Sequence, residues 1–189
     1  EFNPVGQDWG LPPYSPRALR ASAYAPFVEL LRSNMPEGGA LRMDHVMALL
    51  RIYWIPLGNK PERGGYVNYP LEDLLRVLCR ESQARKCLVI GEDLGTVPPE
   101  LREALAAHGV LSYRPLRIGR SAPRGYPREA LVCVSTHDLP TWRGYWEARD
   151  LALREQLGLT VDAPAERAQR EADLERLKSI LGQEKLDTS

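Results

Sequence analysis

The sequence is short of several things, and each shortage removes a class of function. It has only three cysteines, Cys79, Cys87 and Cys133, an odd number without CxxC spacing and set within apolar stretches. That supports neither a disulfide framework nor a structural zinc site, and it makes a reducing cytoplasm the expected compartment. An excess of either charge is also missing, since 25 Lys and Arg balance 25 Asp and Glu. With no net field and no basic run, neither nucleic acid nor an anionic membrane is expected as a partner. The longest apolar runs, at 87–90 and 130–134, fall far below the roughly 20 residues that cross a bilayer. Glu1 stands where an initiator Met is absent, and no charged-then-apolar export segment follows. The expectation is a soluble piece of a longer chain, without a signal peptide.

What is present is ordinary globular material. The 189 residues are 43% hydrophobic and 26% charged, enough for a real core and incompatible with disorder throughout. Residues 1–16 are rich in Gly and Pro and read as an irregular loop. Ser15 before Pro16 is an N-cap with a first-turn proline, opening a helical pattern that runs to Arg32 and that Pro26 kinks or splits.

A rhythm of short apolar run, polar loop and helix follows. The run 40–43 ends in Asp44 and His45, the run 87–90 in Gly91, Glu92 and Asp93, and the run 131–134 in Ser135, Thr136, His137 and Asp138. Residues 112–118 form a weaker strand signal between the last two. Pro70 with Glu72 and Asp73 opens one helix; Pro98 with Glu100 opens another, which Gly109 closes. Apolar strands alternating with helices indicate a parallel sheet covered on both faces. The expected fold class is therefore α/β, a partial (β/α)8 TIM barrel of about four parallel strands with flanking helices, plus a C-terminal helical segment. Leu174, Leu177 and Leu181 recur at helical spacing and mark a packing stripe in that segment. The expected division is a partial catalytic barrel over 1–160 and a helical extension over 161–189.

In parallel sheets the functional groups gather at the carboxyl ends of strands. Asp44, Glu92 and Asp138 are all at such ends and would project into one mouth. Like charges brought together cannot all ionise alike, which suits acid/base work. Retaining glycosyl transfer needs one ionised carboxylate and one protonated acid about 5 to 5.5 Å apart, and Asp44 with Glu92 is the natural pair. Arg42, two residues before Asp44 on a strand, shares its face and favours its charged form. His45 and His137 adjoin the carboxylates and can donate to substrate hydroxyls. Trp9, Tyr14, Tyr53, Trp54, Tyr66 and Tyr69 offer rings for stacking on sugar faces. Taken singly, each acid also reads as a helix N-cap, each His as structural, Arg42 as an ion-pair partner, and each aromatic residue as packing.

The wording of the motifs narrows these alternatives. Gly39-Ala40-Leu41-Arg42-Met43-Asp44-His45-Val46-Met47, Val89-Ile90-Gly91-Glu92-Asp93-Leu94-Gly95-Thr96-Val97-Pro98 and Thr136-His137-Asp138-Leu139-Pro140-Thr141 together resemble the 4-alpha-glucanotransferases called amylomaltases or disproportionating enzymes, glycoside hydrolase family 77. The opening Gly6-Gln7-Asp8-Trp9-Gly10-Leu11-Pro12-Pro13-Tyr14 is similar to that family's loop at the donor and acceptor sites. The match runs in order from residue 2 to about residue 160 and is strongest toward the bacterial, cytoplasmic, maltodextrin-metabolising branch.

The resemblance implies Asp44 as nucleophile, Glu92 as general acid/base and Asp138 as the third carboxylate holding substrate hydroxyls. It implies Arg42 and His137 as contacts to the sugar at the cleavage site, an α-1,4-glucan donor and a sugar acceptor as partners, and neither metal nor organic cofactor. Family members are much longer, so the exposed edges of a partial barrel invite self-association. Two other readings stay open at this point. Asp44, His45, Glu92, His137 and Asp138 are residue types that hold Zn or Mn in a metal-dependent hydrolase barrel, although no HxH pair or strand-end Lys accompanies them. A non-catalytic carbohydrate-binding piece is the other.

Overall fold

Ser15 and Pro16 start the first helix as their chemistry requires. The backbone of Ser15 is extended and its Oγ accepts the Ala18 N–H at 3.4 Å, while Pro16 fills the first helical position of α1 (Pro16–Ala21). Pro26 splits the helical run: Ala23 and Tyr24 turn left-handed, and α2 (Ala25–Asn34) begins afresh with the proline in its first turn, where no N–H is needed. The computed structural model to which these elements belong describes residues 10–118 and 122–183. Its contacts divide it into two compact units, Glu1–Ser112 and Tyr113–Ser189.

In the first unit β1 (Ala40–Met43) is followed by a short 3-10 turn and by a hairpin, β2 (Arg51–Trp54) with β3 (Gly65–Asn68). Then come α3 (Leu71–Arg85), β4 (Leu88–Gly91), α4 (Pro99–Ala107) and the start of β5 (Leu111–Pro115). The strands over 40–43 and about 88–91 stand within a residue of their expected places, and β5 is shorter than expected. The hairpin was not anticipated, because its two strands have four residues each and are joined by ten residues that carry no tight-turn signal.

The helices cover this sheet through their apolar stripes. Leu74, Leu75 and Leu78 of α3, Leu101 and Leu105 of α4, and Phe27, Val28 and Leu31 of α2 share a core with Val46, Val89 and Val110. Leu75 and Leu78 are fully buried, each stabilising the fold by about 2 kcal/mol. Glu81 is buried on α3 and is met by Arg32 Nε at 2.6 Å and Arg80 Nη2 at 2.9 Å.

The second unit contains the rest of β5, then β6 (Ala130–Cys133), α5 (Trp142–Trp146), α6 (Arg149–Gln156) and α7 (Ala163–Gln183). The expected stripe on α7 is real. Leu177 and Ile180 are buried with Leu116 and Tyr145, and Leu174, Leu181, Trp142 and Trp146 pack around them. Thr141 caps α5 by accepting the Gly144 N–H at 3.1 Å.

The sheet order is β1-β4-β5-β6. β1 pairs parallel to β4 from Ala40↔Leu88 to Met43↔Gly91, and β4 pairs parallel to β5 at Ile90↔Leu111 and Gly91↔Ser112. The fold is α/β, and parallel strands with flanking helices make it part of a (β/α)8 barrel.

Candidate active site

Register brings the first two strand-end acids together. Met43 pairs with Gly91, so Asp44 and Glu92 occupy the next position on neighbouring parallel strands, which run about 4.8 Å apart. The ladder continues one step beyond the strands. The Glu92 N–H donates to the Met43 carbonyl at 2.9 Å, and the Val46 N–H donates to the Glu92 carbonyl at 3.0 Å. Glu92 is buried, and its carboxylate is held from both sides: Oε2 accepts the His45 N–H at 2.9 Å and Oε1 accepts the Leu94 N–H at 2.8 Å. Each oxygen keeps a second lone pair for a proton or a substrate hydroxyl.

Local backbone chemistry makes this latch possible. His45 takes a left-handed conformation with φ 43°, one that His tolerates better than most residues, and the sharp turn aims its N–H at Glu92. Gly91 allows the close approach: a Cβ there would meet Val46 Cγ2 at 3.1 Å and Val110 Cγ1 at 3.3 Å. Asp44 is the open member of the pair. Its side chain is 75% exposed, and Arg42 Nη1 lies 2.6 Å from its Oδ1, as two residues on one strand face should. Arg42, Asp44, His45 and Glu92 are therefore assembled within one unit, and His45 serves Glu92 through its main chain.

Sequence reasoning missed the support behind Glu92. Asp93 is buried, with Arg102 Nε at 3.3 Å from its Oδ2 and Arg102 Nη2 donating to its carbonyl at 3.1 Å. A second acid directly after a strand-end Glu, with an Arg on the following helix, was the available signal.

In the second unit His137 and Asp138 lie in the loop after β6, His137 Nε2 3.4 Å from Asp138 Oδ1, both side chains about three-quarters exposed. The loop carries one turn bond, Leu139 N–H to the Thr136 carbonyl at 3.3 Å. Arg117 spans its base: Nη1 donates to the Pro140 carbonyl at 2.6 Å and lies 3.4 Å from Ser135 Oγ.

The aromatic residues divide into two groups. Tyr14 is exposed, its carbonyl accepting from the Tyr69 hydroxyl at 2.7 Å, while Trp9 lies outside the described residues. Tyr53 and Tyr66 are exposed on the hairpin in an edge-to-face pair at 5.1 Å, with the Arg51 guanidinium 4.6 Å from the Tyr66 centroid. Trp54 and Tyr69 instead pack on the first core, and burial pushes the Tyr69 hydroxyl up from its ordinary pKa.

All three cysteines are free thiols, and burial pushes Cys79 and Cys87 up, which keeps them protonated and poor as ligands. Among the described residues no group of three or more His, Cys, Asp and Glu is placed to hold a metal ion. Among the same residues no helix is long and apolar enough to cross a membrane.

Comparison with known proteins adds an independent line. The glycoside hydrolase family 77 model, described as 4-alpha-glucanotransferase, matches residues 1–188. A 4-alpha-glucanotransferase of Haemophilus influenzae is 47% identical over 163 residues, covering 84% of this chain and 23% of that protein. One of Mycobacterium tuberculosis is 37% identical over 195 aligned positions, covering 95% of this chain and 27% of that protein. The crystal structure of amylomaltase from Corynebacterium glutamicum superposes with a TM-score of 0.85 at 32% identity, covering 96% of this chain and 27% of that one. The chain thus spans about a quarter of the length of the curated relatives it matches.

Proposed function

The chain belongs to the 4-alpha-glucanotransferase family, glycoside hydrolase family 77, and from that premise we propose that the protein carrying it moves segments of α-1,4-glucan onto the 4-hydroxyl of a sugar acceptor. The observation that carries this reading is the parallel register that sets Asp44 beside Glu92 with the Glu92 carboxylate fixed by two main-chain donors. Acids one step beyond paired residues of neighbouring parallel strands are close enough to serve one glycosidic bond, the arrangement of nucleophile and acid/base that a retaining mechanism uses.

The proposed reaction is a double displacement. An oxygen of ionised Asp44 attacks the anomeric carbon, the glycosidic C–O bond breaks, and Glu92 gives its proton to the departing 4-oxygen. In the second half Glu92 takes the proton of the incoming 4-hydroxyl, whose oxygen displaces Asp44 and restores the original configuration. Arg42 orients Asp44 through the 2.6 Å contact and reaches the sugar beside it. Asp138 holds substrate hydroxyls and strengthens its hold as positive charge develops on the ring, with His137 donating beside it. His45, Tyr14 and Trp9 are further sugar contacts in this reading. No metal or organic cofactor is called for.

The reading extends to a bacterial, cytoplasmic enzyme, which the free thiols and bacterial relatives support. It keeps residues 1–160 as the barrel portion and 161–189 as a helical extension, which the α7 helix from Ala163 supports. The exposed Leu131 and Val132 of β6 make a sheet edge suited to a further strand or a second copy.

The test is product analysis after incubating the full-length protein with maltotriose. Glucose together with glucans longer than the substrate is the expected result, and Asp44→Ala should abolish it because no other group attacks the anomeric carbon. Glucose and maltose alone would make the protein a hydrolase. An Asp44→Ala variant with an unchanged rate would remove the nucleophile assignment.

A further inference from the structure

Arg117 follows β5 by two residues, and its surroundings are unusual for a cation. Its guanidinium touches both ends of the loop 135–140, through the Pro140 carbonyl at 2.6 Å and Ser135 Oγ at 3.4 Å, while its own N–H donates to the Val134 carbonyl at 3.3 Å. The guanidinium carbon also sits 3.6 Å from the centroid of the Tyr145 ring, and that of Arg170 lies at the same 3.6 Å. Two guanidinium carbons cannot occupy one face of a ring at that distance, so Tyr145 is sandwiched between them. Cation–π attraction on both faces helps hold each guanidinium against the ring.

The far side of the sandwich is firmly anchored. Arg170, buried on α7, holds Asp150 of α6 with two contacts, Nη1 to Oδ1 at 2.9 Å and Nη2 to Oδ2 at 2.5 Å, and donates to the Tyr145 carbonyl at 2.7 Å. The Tyr145 hydroxyl donates to Asp173 at 3.1 Å. A continuous chain of contacts thus runs from α7 through the ring to the loop that carries His137 and Asp138. Burial lowers the Arg117 pKa, a desolvation cost that an apolar side chain against the same ring would avoid. The cation's distinctive contribution is its grip on the loop.

We propose that Arg117, held in place by Tyr145 and Arg170, is a positioning residue that sets Asp138 for glucan transfer. The proposal rests on the role given to Asp138 above and adds a residue that touches no substrate.

The experiment compares Arg117→Met, Arg117→Lys, Asp138→Asn and the Arg117→Met/Asp138→Asn double variant in the full-length protein, with thermal melts and with kcat and KM on maltotriose. A displacement of about 1 Å in a catalytic group can cost about 10²-fold, so Arg117→Met should lower kcat by that order while KM changes little. Arg117→Lys, which keeps the charge and a donor toward Pro140, should recover about tenfold of it. In the Asp138→Asn background Arg117→Met should cost less than about threefold, since the group it positions has lost its charge.

An Asp138→Asn variant with normal kcat would overturn the reading of Asp138, and this proposal with it. A severe Asp138→Asn loss combined with a normal Arg117→Met kcat, or with equal factors in both backgrounds, would overturn this proposal alone. If Arg117→Met does not fold, Arg117→Lys carries the same comparison: a drop in kcat that disappears in the Asp138→Asn background supports the proposal, and an equal drop in both backgrounds overturns it.

Discussion

In the first unit, three hydrogen bonds with main-chain donors tie residue 92 to the turn after β1: Glu92 to Met43, Val46 to Glu92, and His45 to the Glu92 carboxylate. In the second unit the base of the loop carrying Asp138 is held by the Arg117 N–H on Val134 and by side chains, Cys133 on the Ser135 carbonyl and Arg117 on Ser135 and Pro140, the Arg117 guanidinium lying against Tyr145. The difference teaches how placement is inherited. A carboxylate set by strand register tolerates most side-chain changes nearby and is lost only when the backbone moves. A carboxylate set through a side-chain clamp can be misplaced by one substitution elsewhere in the chain.

The largest effect expected on the first side of this comparison comes from Glu92→Gln. The amide keeps the shape and one of the two accepted N–H bonds, so the turn after β1 should remain folded while the proton donor is gone. Turnover should fall by about 10² to 10⁴ with an unchanged melting temperature to within a few degrees. Rate measurement with a thermal melt checks it, and a rate near that of the parent would show that another acid supplies the proton.

Gly91→Ala attacks the register. The added Cβ would press on Val46 Cγ2 at 3.1 Å and Val110 Cγ1 at 3.3 Å, both in the core, so a destabilisation of about 1 to 3 kcal/mol is expected by urea unfolding. Because Val46 adjoins His45, activity should fall further than the loss of folded protein explains. A substitution without effect on either would mean that the strands part easily there, and that register holds the pair less firmly than the hydrogen bonds suggest.

Glu81→Gln is the smallest and acts on the helical side of the same unit. The hydrogen bond from Arg32 is the largest influence on Glu81, and with help from Arg80 it outweighs burial, holding the carboxyl below its ordinary pKa. A folded pKa below the unfolded value contributes stability that is present above the ordinary carboxylate range near 4.3 and is lost as pH falls through the folded value. Arg32 is more than half exposed, so solvent screens the pair and its contribution at pH 7 should be small. Denaturation at pH 7 and at pH 3 should show the gap between Glu81→Gln and the parent narrowing in acid; a constant gap would assign the effect to packing.

Much of the site could be read from the chain in order. The apolar run before Asp44 and the run before Gly91 and Glu92 are local patterns, and both acids lie beyond the ends of neighbouring parallel strands. The break at Pro26 and the stripe of Leu174, Leu177 and Leu181 were visible for the same reason. The hairpin of β2 and β3 and the clamp of Arg117 on Pro140 were not visible, and Asp93 beside Arg102 was signalled by residue type but not by spacing. Each depends on a partner whose distance along the chain follows no period.

Sequence alone therefore indicated, to within a residue, where β1, β4 and β6 end and which acids, histidines and arginines stand there, because periodicity and capping act within a few residues. Tertiary structure decided the rest: that Met43 meets Gly91, that the His45 N–H reaches a carboxylate 47 residues away, and that Arg117 closes on a loop 23 residues on. These contacts are selected by the packing of whole elements, in which Val46 against Gly91 and Tyr145 between two arginines settle positions that no local pattern specifies.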